Sequence, residues 1–510
     1  MTTGTSTAGE GRLSAQERSA VELNGINVVA EEERTGKASD LFWPWFAANV
    51  SVFGLSYGTW ILDFGISFTQ AVVVGVLGSV ASFVICGIVA LAGKRGSAPT
   101  MTMSRAPFGI NGNKVPGVVS WLLSIGWETV LTILAVLATA TVFERLGWSS
   151  GTATKLIAAL VVSGLIVLFA VMGYQVIIRL QSVLTWATGL LTVLYIVFTL
   201  DEIDWATVSA IPAGSTQAVI GALVFVLTGF GLGWVNIAAD WSRYLPRSTP
   251  GRKVVFWNTL GGSLAPVLLV VFGLLLAGTS EDLRTAIGQD PIGALSSLLP
   301  TWMLVPFLLV AIGGLLSGAV NGIYSSGLTL LSLGVRLPRP AAAAIDGSLL
   351  TLGTIYVVFV AENFFGPFQG FLITLGVPIA AWAGIVMADI ALRRRDYDEH
   401  ALFDPRGRYG SVNWVSVGLL VAATVIGWGL VVNTYAPWLE WQGYLMGLIG
   451  GKEGDWAWAN IGVIVSLLIG LLGWLLLGRS VVRRQESTPI APGPVTGTAG
   501  PGQEGRGMPV

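Results

Sequence analysis

The chain has 510 residues, of which 53% are hydrophobic and only 11% charged, against about 25% charged in an average soluble domain. This excludes a soluble protein, and the single cysteine and single histidine exclude a disulfide framework or a Cys/His metal site. The net charge of −1 points to no particular partner, and no nucleic-acid partner is expected.

Residues 1–40 read as a disordered cytoplasmic tail, low in aromatics and rich in Thr, Gly and Glu. They contain no apolar segment of the kind a cleavable signal peptide needs. Ten charge-free runs follow, from Leu41–Leu62 to Trp456–Gly478, and two more runs carry one acid each: Val115–Phe143 holds Glu128 and Pro340–Ala361 holds Asp346. Each reaches the roughly 20 residues that cross a bilayer. The expected fold is therefore an all-α polytopic membrane protein of about twelve transmembrane helices. With the N-terminus inside, the inner segments hold 24 Lys and Arg and the outer loops only four. That bias sets both termini in the cytoplasm and supports the span count.

The first span, LFWPWFAANVSVFGLSYGTWIL, gathers Asn49, Ser51, Gly54, Ser56 and Gly58 near its middle. Ser51 and Asn49 read either as site residues at a helix break or as ordinary helix-to-helix hydrogen-bonding groups. Cys86 in the second span reads as an inert small apolar residue. Residues 96–117 form a basic, turn-rich loop on the inner face.

In the third span Glu128 is the only charge between Lys114 and Glu144. An acid at the bilayer centre costs roughly 2.5–3.5 kcal/mol on insertion scales and is a functional candidate by default. It can receive N–H donors from a ligand, carry a proton, or do both. The bland alternative is a carboxyl paired to a hydroxyl of another helix.

The sixth span, GALVFVLTGFGLGWVNIAADWSRYLP, places Gly229, Gly231 and Gly233 at alternate positions ahead of Trp234. Each glycine costs a helix interior about 1 kcal/mol relative to alanine. The run therefore marks either a place where the helix opens or a close helix contact. Asp240 and Arg243, at the inner end, read as a structural or gating ion pair. Asp63 and Asp389 stand at span ends and read as solvated.

Spans one and six are the most interrupted and lie five apart. Corresponding interruptions of this kind point to an inverted repeat around a central site. The expected organisation is residues 41–200 (spans one to five) as the first repeat and 205–395 (spans six to ten) as the second. Spans eleven and twelve follow over 409–480, with a disordered cytoplasmic tail over 485–510.

Several segments together resemble the nucleobase:cation symporter family 1, the purine/cytosine, allantoin and hydantoin permeases. They are Gly25-Ile26 with Glu31-Glu32-Glu33-Arg34, Trp45-Phe46-Ala47-Ala48-Asn49, Ser104-Arg105-Ala106-Pro107-Phe108-Gly109 and Gly126-Trp127. Gly233-Trp234 with Asp240-Trp241-Ser242-Arg243-Tyr244, Asn321 with Tyr324-Ser325-Ser326-Gly327, and Pro378, Gly384 and Asp389 complete the set. The resemblance implies a LeuT-like 5+5 inverted repeat plus two extra helices, with a substrate held between helices one, three, six and eight. It places stacking aromatics at Trp127 and Trp234, with Gly233 leaving room for the ring, and a heterocycle-binding amide at Asn321.

In sodium-coupled members of that family the ion sits between helix-one carbonyls, here Ala47 and Val50, and two helix-eight hydroxyls. Those two positions read Ser317-Gly318, so one hydroxyl is missing, and Leu131 replaces a glutamine found in the hydantoin permease. The expectation is therefore a symporter of the plasma (inner) membrane, not an enzyme, with no cofactor and no obligate protein partner. Its substrate is a nucleobase or related planar N-heterocycle, with Ser51 beside Trp127, Glu128, Gly233, Trp234 and Asn321 at the site. Glu128 makes a proton the preferred coupling ion, and sodium at Ser317, Ala47 and Val50 is the alternative. An amino-acid or amine symporter of the same architecture is the near rival, and a channel or membrane scaffold the distant one.

Overall fold

A computed structural model describes residues 26–488 apart from 173, 336 and 362. The tails expected over 1–40 and 485–510 thus fall largely outside the described residues. Where they are described, the expectation of disorder is corrected. Val29 is buried and its N–H donates to the Ser97 carbonyl at 2.9 Å. Arg34 is buried too, donating from Nε and Nη2 to the Leu245 carbonyl (2.9 and 2.6 Å) and from Nη2 to that of Lys94 (2.6 Å). Charged-donor bonds are the strong ones, and one buried guanidinium pins a polar strap whose partners lie 60 and 211 residues away. Arg247 bonds to Glu31 on the same strap and holds that carboxyl below the ordinary glutamate range. At the other terminus the last helix continues to Ser487, and Gln485 is buried with its amide on the Ala106 carbonyl at 3.0 Å.

Among the described residues ten helices are long and apolar enough to cross a membrane. The first span is not one of them, because it is two pieces, Phe42–Asn49 and Phe53–Leu62. The eleventh is a single shorter helix, Trp414–Gly429. These two together with the ten account for the twelve segments of the sequence. The second repeat begins later than expected. Trp205–Ser209 is a separate turn of helix capped by Asp204, and span six starts at Thr216, where Ser215 accepts from the Ala218 N–H at 3.1 Å. Pro212 and Gly214 between them stop the chain from running through as one helix.

Span six runs as helix over Thr216–Gly229 and breaks at Phe230, whose φ of −117° and ψ of −117° are far from helical. A turn at Gly231–Trp234, a 3₁₀ turn at Val235–Ile237 and a last turn at Ala239–Ser242 complete it. The glycines around the break serve close approach. A methyl at Gly231 would overlap the backbone of Ser82 in span two, and one at Gly229 would lie 2.5 Å from the Tyr57 ring. Opening and tight packing, the two readings of this run, therefore occur together.

Span two (Phe68–Gly96) packs along span seven (Gly251–Thr279), and span three (Lys114–Arg145) along span eight (Thr301–Ser332). Partners five apart are what two equivalent halves produce, and they leave the broken spans one and six in the middle. Spans eleven and twelve (Gly462–Ser487) pack on span ten (Phe365–Leu392). The helix ends that meet Arg34, Ala106 and Gln485 define a terminal face of the bundle; the opposite end is the far face.

Asp389, expected to be solvated, is fully buried at the terminal face. It holds Arg393 through two bonds of 2.6 and 3.0 Å and accepts from the Tyr397 hydroxyl at 3.3 Å. Helix association in lipid rests on close packing of small residues rather than on expelling water. A side chain at Gly58 in span one would overlap the backbone of Gly273 and Leu274 in span seven. Gly58→Leu is expected to lower the melting temperature in detergent by several degrees, whereas Gly164→Leu, at an exposed position with nothing within 4 Å, leaves it unchanged.

Candidate functional site

The break in span six has its backbone groups met from neighbouring elements. The Gly231 N–H donates to Ser82 Oγ of span two at 3.0 Å, and the Tyr57 hydroxyl of span one donates to the Gly229 carbonyl at 3.0 Å. Below the break the Asn236 amide donates to the Ser120 hydroxyl (2.9 Å), the Ser120 carbonyl (3.2 Å) and the Ser124 hydroxyl (3.0 Å) of span three. The Ala239 N–H donates to Thr100 Oγ1 at 2.8 Å. Sequence reasoning missed Asn236. Its signal was a lone amide two residues after Trp234 in an apolar stretch.

This scaffold sets Trp234 opposite Trp127. The indole centroids are 6.3 Å apart and their planes 13° from parallel, and both rings are buried. A flat ring inserted between them needs about 7 Å, twice a carbon–carbon contact of about 3.5 Å, so the slot is within about an ångström of accepting one. Gly233 keeps the edge of the slot clear, since a methyl there would lie 2.7 Å from Trp127 Nε1. Trp45, Phe368 and Phe371 wall the pair with edge-on rings at 6.4, 5.7 and 5.9 Å.

Two buried polar atoms near these helices are unspent. Trp127 Nε1 has no acceptor, and Asn321 Oδ1 in span eight has no donor. Leaving such a group unpaired costs about 1–3 kcal/mol; a ring with an N–H donor at its edge would recover that of Asn321, whereas the Trp127 N–H lies in the indole plane and points away from a ring stacked on its face.

Glu128 is fully buried and turned onto span eight, where a methyl at Gly322 would lie 2.5 Å from its Cγ. Neither carboxyl oxygen receives a hydrogen bond, and Thr132, on its face, donates to the Glu128 backbone carbonyl instead, at 2.7 Å. Ser51 and Asn49 both attend to the break in span one. Ser51 Oγ accepts from the Phe53 N–H at 3.3 Å, and the Asn49 amide donates to the Trp45 carbonyl at 2.8 Å.

Ala47 and Val50 sit at the broken end of the first half-span, which packs against span eight, where Ser317 is buried. Beside Ser317, Gly318 faces a methyl of Leu131, which would lie 2.9 Å from an added Cβ. The two departures from the sodium pattern thus stand against each other. Among the described residues no group of three His, Cys, Asp or Glu side chains is placed to hold a metal ion.

Asp240 and Arg243 are both buried at the terminal end of span six. Arg243 acts electrostatically on Asp240, but each also reaches a different neighbour. Asp240 accepts from the Thr100 N–H (2.8 Å) and hydroxyl (2.7 Å). Arg243 donates to the Tyr324 hydroxyl of span eight at 3.3 Å, and Trp241 stacks on the Tyr324 ring at 6.0 Å. The pair therefore closes the terminal side by tying span six to the loop after span two and to span eight. At the far face a cleft of about 640 Å³ opens between Trp60, Asp63, Phe365, Gln369, Tyr435 and Trp458. Rings of Phe53, Tyr57, Phe364 and Phe368, packed edge-on and face-on, stand between this cleft and the indole pair.

Comparison with known proteins bears on this geometry. Residues 28–450 match the family described as permeases for cytosine/purines, uracil, thiamine and allantoin. The Bacillus subtilis protein YxlA, provisionally named a purine-cytosine permease, is 26% identical over 464 residues, covering 88% of this chain and 95% of that protein. Purine-cytosine permease FCY2 of Saccharomyces cerevisiae is 24% identical over 461 residues, covering 85% and 82%. The structure of Mhp1, a nucleobase-cation-symport-1 family transporter in a closed conformation with bromovinylhydantoin bound, superposes with a TM-score of 0.67. At 18% identity it covers 92% of this chain and 100% of that one, and the likeness establishes the LeuT-like fold.

Asp240→Asn keeps the shape of the terminal closure and removes its charge. Hydrogen bonds to charged groups contribute about 1.5–3 kcal/mol. The variant is expected to melt several degrees lower and to exchange the amide hydrogens of residues 98–103 markedly faster, read by mass spectrometry.

Proposed function

We propose that this chain, which belongs to the family of permeases for cytosine/purines, uracil, thiamine and allantoin, takes up a nucleobase or closely related planar N-heterocycle together with a cation. The coarse assignment, a multi-pass membrane transporter rather than an enzyme, follows from the family. The observation that carries the substrate class is the parallel indole pair, 6.3 Å apart and 13° from parallel. Two flat faces at that spacing recognise a flat ring, and stacking on an aromatic side chain contributes roughly 1–3 kcal/mol per base.

The unspent amide oxygen of Asn321 fits a heterocycle edge that carries an N–H donor. An amino acid would use neither the two ring faces nor this edge, so the same-fold amine symporter is the weaker reading. Binding one planar ring and moving it by alternating access then needs the aromatic layer and the Asp240–Thr100–Tyr324 closure to open in turn. The positive-inside bias supports a cytoplasmic terminal face, so the far-face cleft would be the outer vestibule.

Coupling falls to a proton at Glu128 in this reading. Gly318 supplies no side-chain oxygen, and Leu131 fills the space facing it. Glu128 has no cation partner and no donor, as suits a carboxyl that is neutral when loaded and ionised after release. Sodium held by Ser317 and the carbonyls of Ala47 and Val50 is the competing arrangement.

Trp127→Ala and Trp234→Ala are each expected to raise the half-saturating concentration at least about tenfold, the equivalent of about 1.4 kcal/mol, with phenylalanine restoring part of it. The measurement is uptake of radiolabelled cytosine and hypoxanthine into proteoliposomes, and unchanged half-saturation in both alanine variants would contradict the slot. With sodium and pH gradients imposed separately, accumulation should follow the pH gradient, and Glu128→Gln should abolish it while counterflow exchange persists. Accumulation driven by sodium at equal pH, retained in Glu128→Gln, would return the cation to Ser317.

A further inference from the structure

Asp346, the one acid of span nine, is fully buried and lies behind Glu128. It accepts from the Ser326 hydroxyl of span eight at 2.7 Å and from Trp121 Nε1 of span three at 2.8 Å. Glu128 lies against Gly322 of span eight, one helical turn before Ser326 on the same face, and Ser326 acts on its carboxyl. A serine has one proton to give, and the shorter of its two contacts is to Asp346 at 2.7 Å, the Ile323 carbonyl lying 3.3 Å away. With that proton committed to Asp346, the serine oxygen is left to accept from a protonated Glu128, whose two buried oxygens have no hydrogen-bond partner in this structure.

From this arrangement we infer that Glu128, Ser326 and Asp346 form a proton relay, by which Glu128 discharges toward the terminal face. The inference rests on the proton-coupled reading above. Glu128, protonated, donates to Ser326 Oγ while the Ser326 hydroxyl proton passes to Asp346 Oδ2. Glu128 is left ionised, Ser326 neutral and Asp346 protonated. Asp346 then releases the proton at the terminal side, and the serine hydroxyl turns back. One O–H bond breaks and one forms at each transfer, and no other reactant is needed.

The path has a direction. Span nine starts at Arg339, so Asp346 lies seven residues, about 10 Å at 1.5 Å per residue, from the terminal face. Glu128 lies fourteen residues, about 21 Å, into span three. Among the described residues few charges stand near the pair: Asp240 and Arg243 of span six reach span eight at Ser325 and Tyr324. Lys114 and Arg145 stand at the two ends of span three, Asp389 at the end of span ten bonded to Arg393, and Lys155 acts on Asp290 at the far face. Asp346 is the charge that acts on Glu128, and Asp346 itself is held by a hydroxyl and an indole rather than by a cation. Two carboxyls in one dry site hold one negative charge far more readily than two. Span eight carries both Asn321 and Ser326, so one helix touches the proposed substrate edge and the relay.

The test uses the full-length protein in proteoliposomes with labelled cytosine or hypoxanthine. Asp346→Asn and Ser326→Ala are each expected to cut pH-gradient-driven accumulation at least about tenfold, as loss of a proton-transfer group does. Counterflow exchange, which needs no net proton release, should stay near the wild-type rate. Ser326→Thr keeps the hydroxyl and should restore accumulation, which separates proton transfer from packing. If Glu128→Gln abolishes accumulation while Asp346→Asn and Ser326→Ala accumulate like the wild type, Glu128 is coupled but discharges elsewhere, and the relay is wrong. Loss of exchange together with accumulation in both variants, unrescued by threonine, would assign these residues to packing and overturn it as well. If sodium alone drives the wild type, the proton-coupled reading fails and the relay with it.

Discussion

Backbone groups at membrane depth must be paired within the protein, because hydrocarbon offers no partner. Span six interrupts its own helix at Phe230 and keeps that rule because its neighbours supply the partners. Ser82, Tyr57 and Thr100 bond its freed backbone, and Asn236 fastens it to Ser120 and Ser124 of span three. These partners come from spans one, two and three and the loop after span two. The break thus organises the first half of the molecule around the second. It also turns Trp234 out of helical register and onto Trp127, so the slot is a consequence of how the break is satisfied.

The same contacts account for an asymmetry between the two ends. On the terminal side Asp240, Arg243 and Trp241 reach Thr100 and Tyr324, and the buried strap at Arg34 lies over the ends of spans two and six. On the far side a layer of aromatic rings runs from Trp127 to Trp60 at the open cleft. Polar closure is directional and leaves donors and acceptors unpaired when it opens, whereas stacked rings slide at smaller cost. In the proposed cycle the aromatic side is the readier to admit a flat solute, and the polar side opens only when the site has changed state.

Much of this was legible in the sequence because its physical signals are local. Charge-free runs count the spans, and the glycines around Phe230 and the small polar residues around Ser51 fall where helices break. Trp127 and Trp234 stood out through motif resemblance, and the structure brings them face to face. What stayed hidden depends on distant partners. Nothing near Arg34 foretells the Leu245 and Lys94 carbonyls, so an ordered strap read as tail. Asp389 looked solvated because its position is a helix end, yet Arg393 and Tyr397 enclose it. Ser51, open in sequence between a site role and a helix-to-helix bond, accepts from the backbone of its own break. Asp346 was visible as a lone intramembrane acid, but its alignment with Ser326 and Glu128 needs three helices in place.

The central claim is that the ring sits between the two indoles, and a structure of the protein with a bound nucleobase tests it most directly. With cytosine or hypoxanthine present, the account predicts the indole planes parted to about 7 Å with the ring between them. The ring edge should then reach Asn321 Oδ1. Density for the base in the far-face cleft among Trp60, Tyr435 and Trp458, with the indoles still 6.3 Å apart, would contradict it.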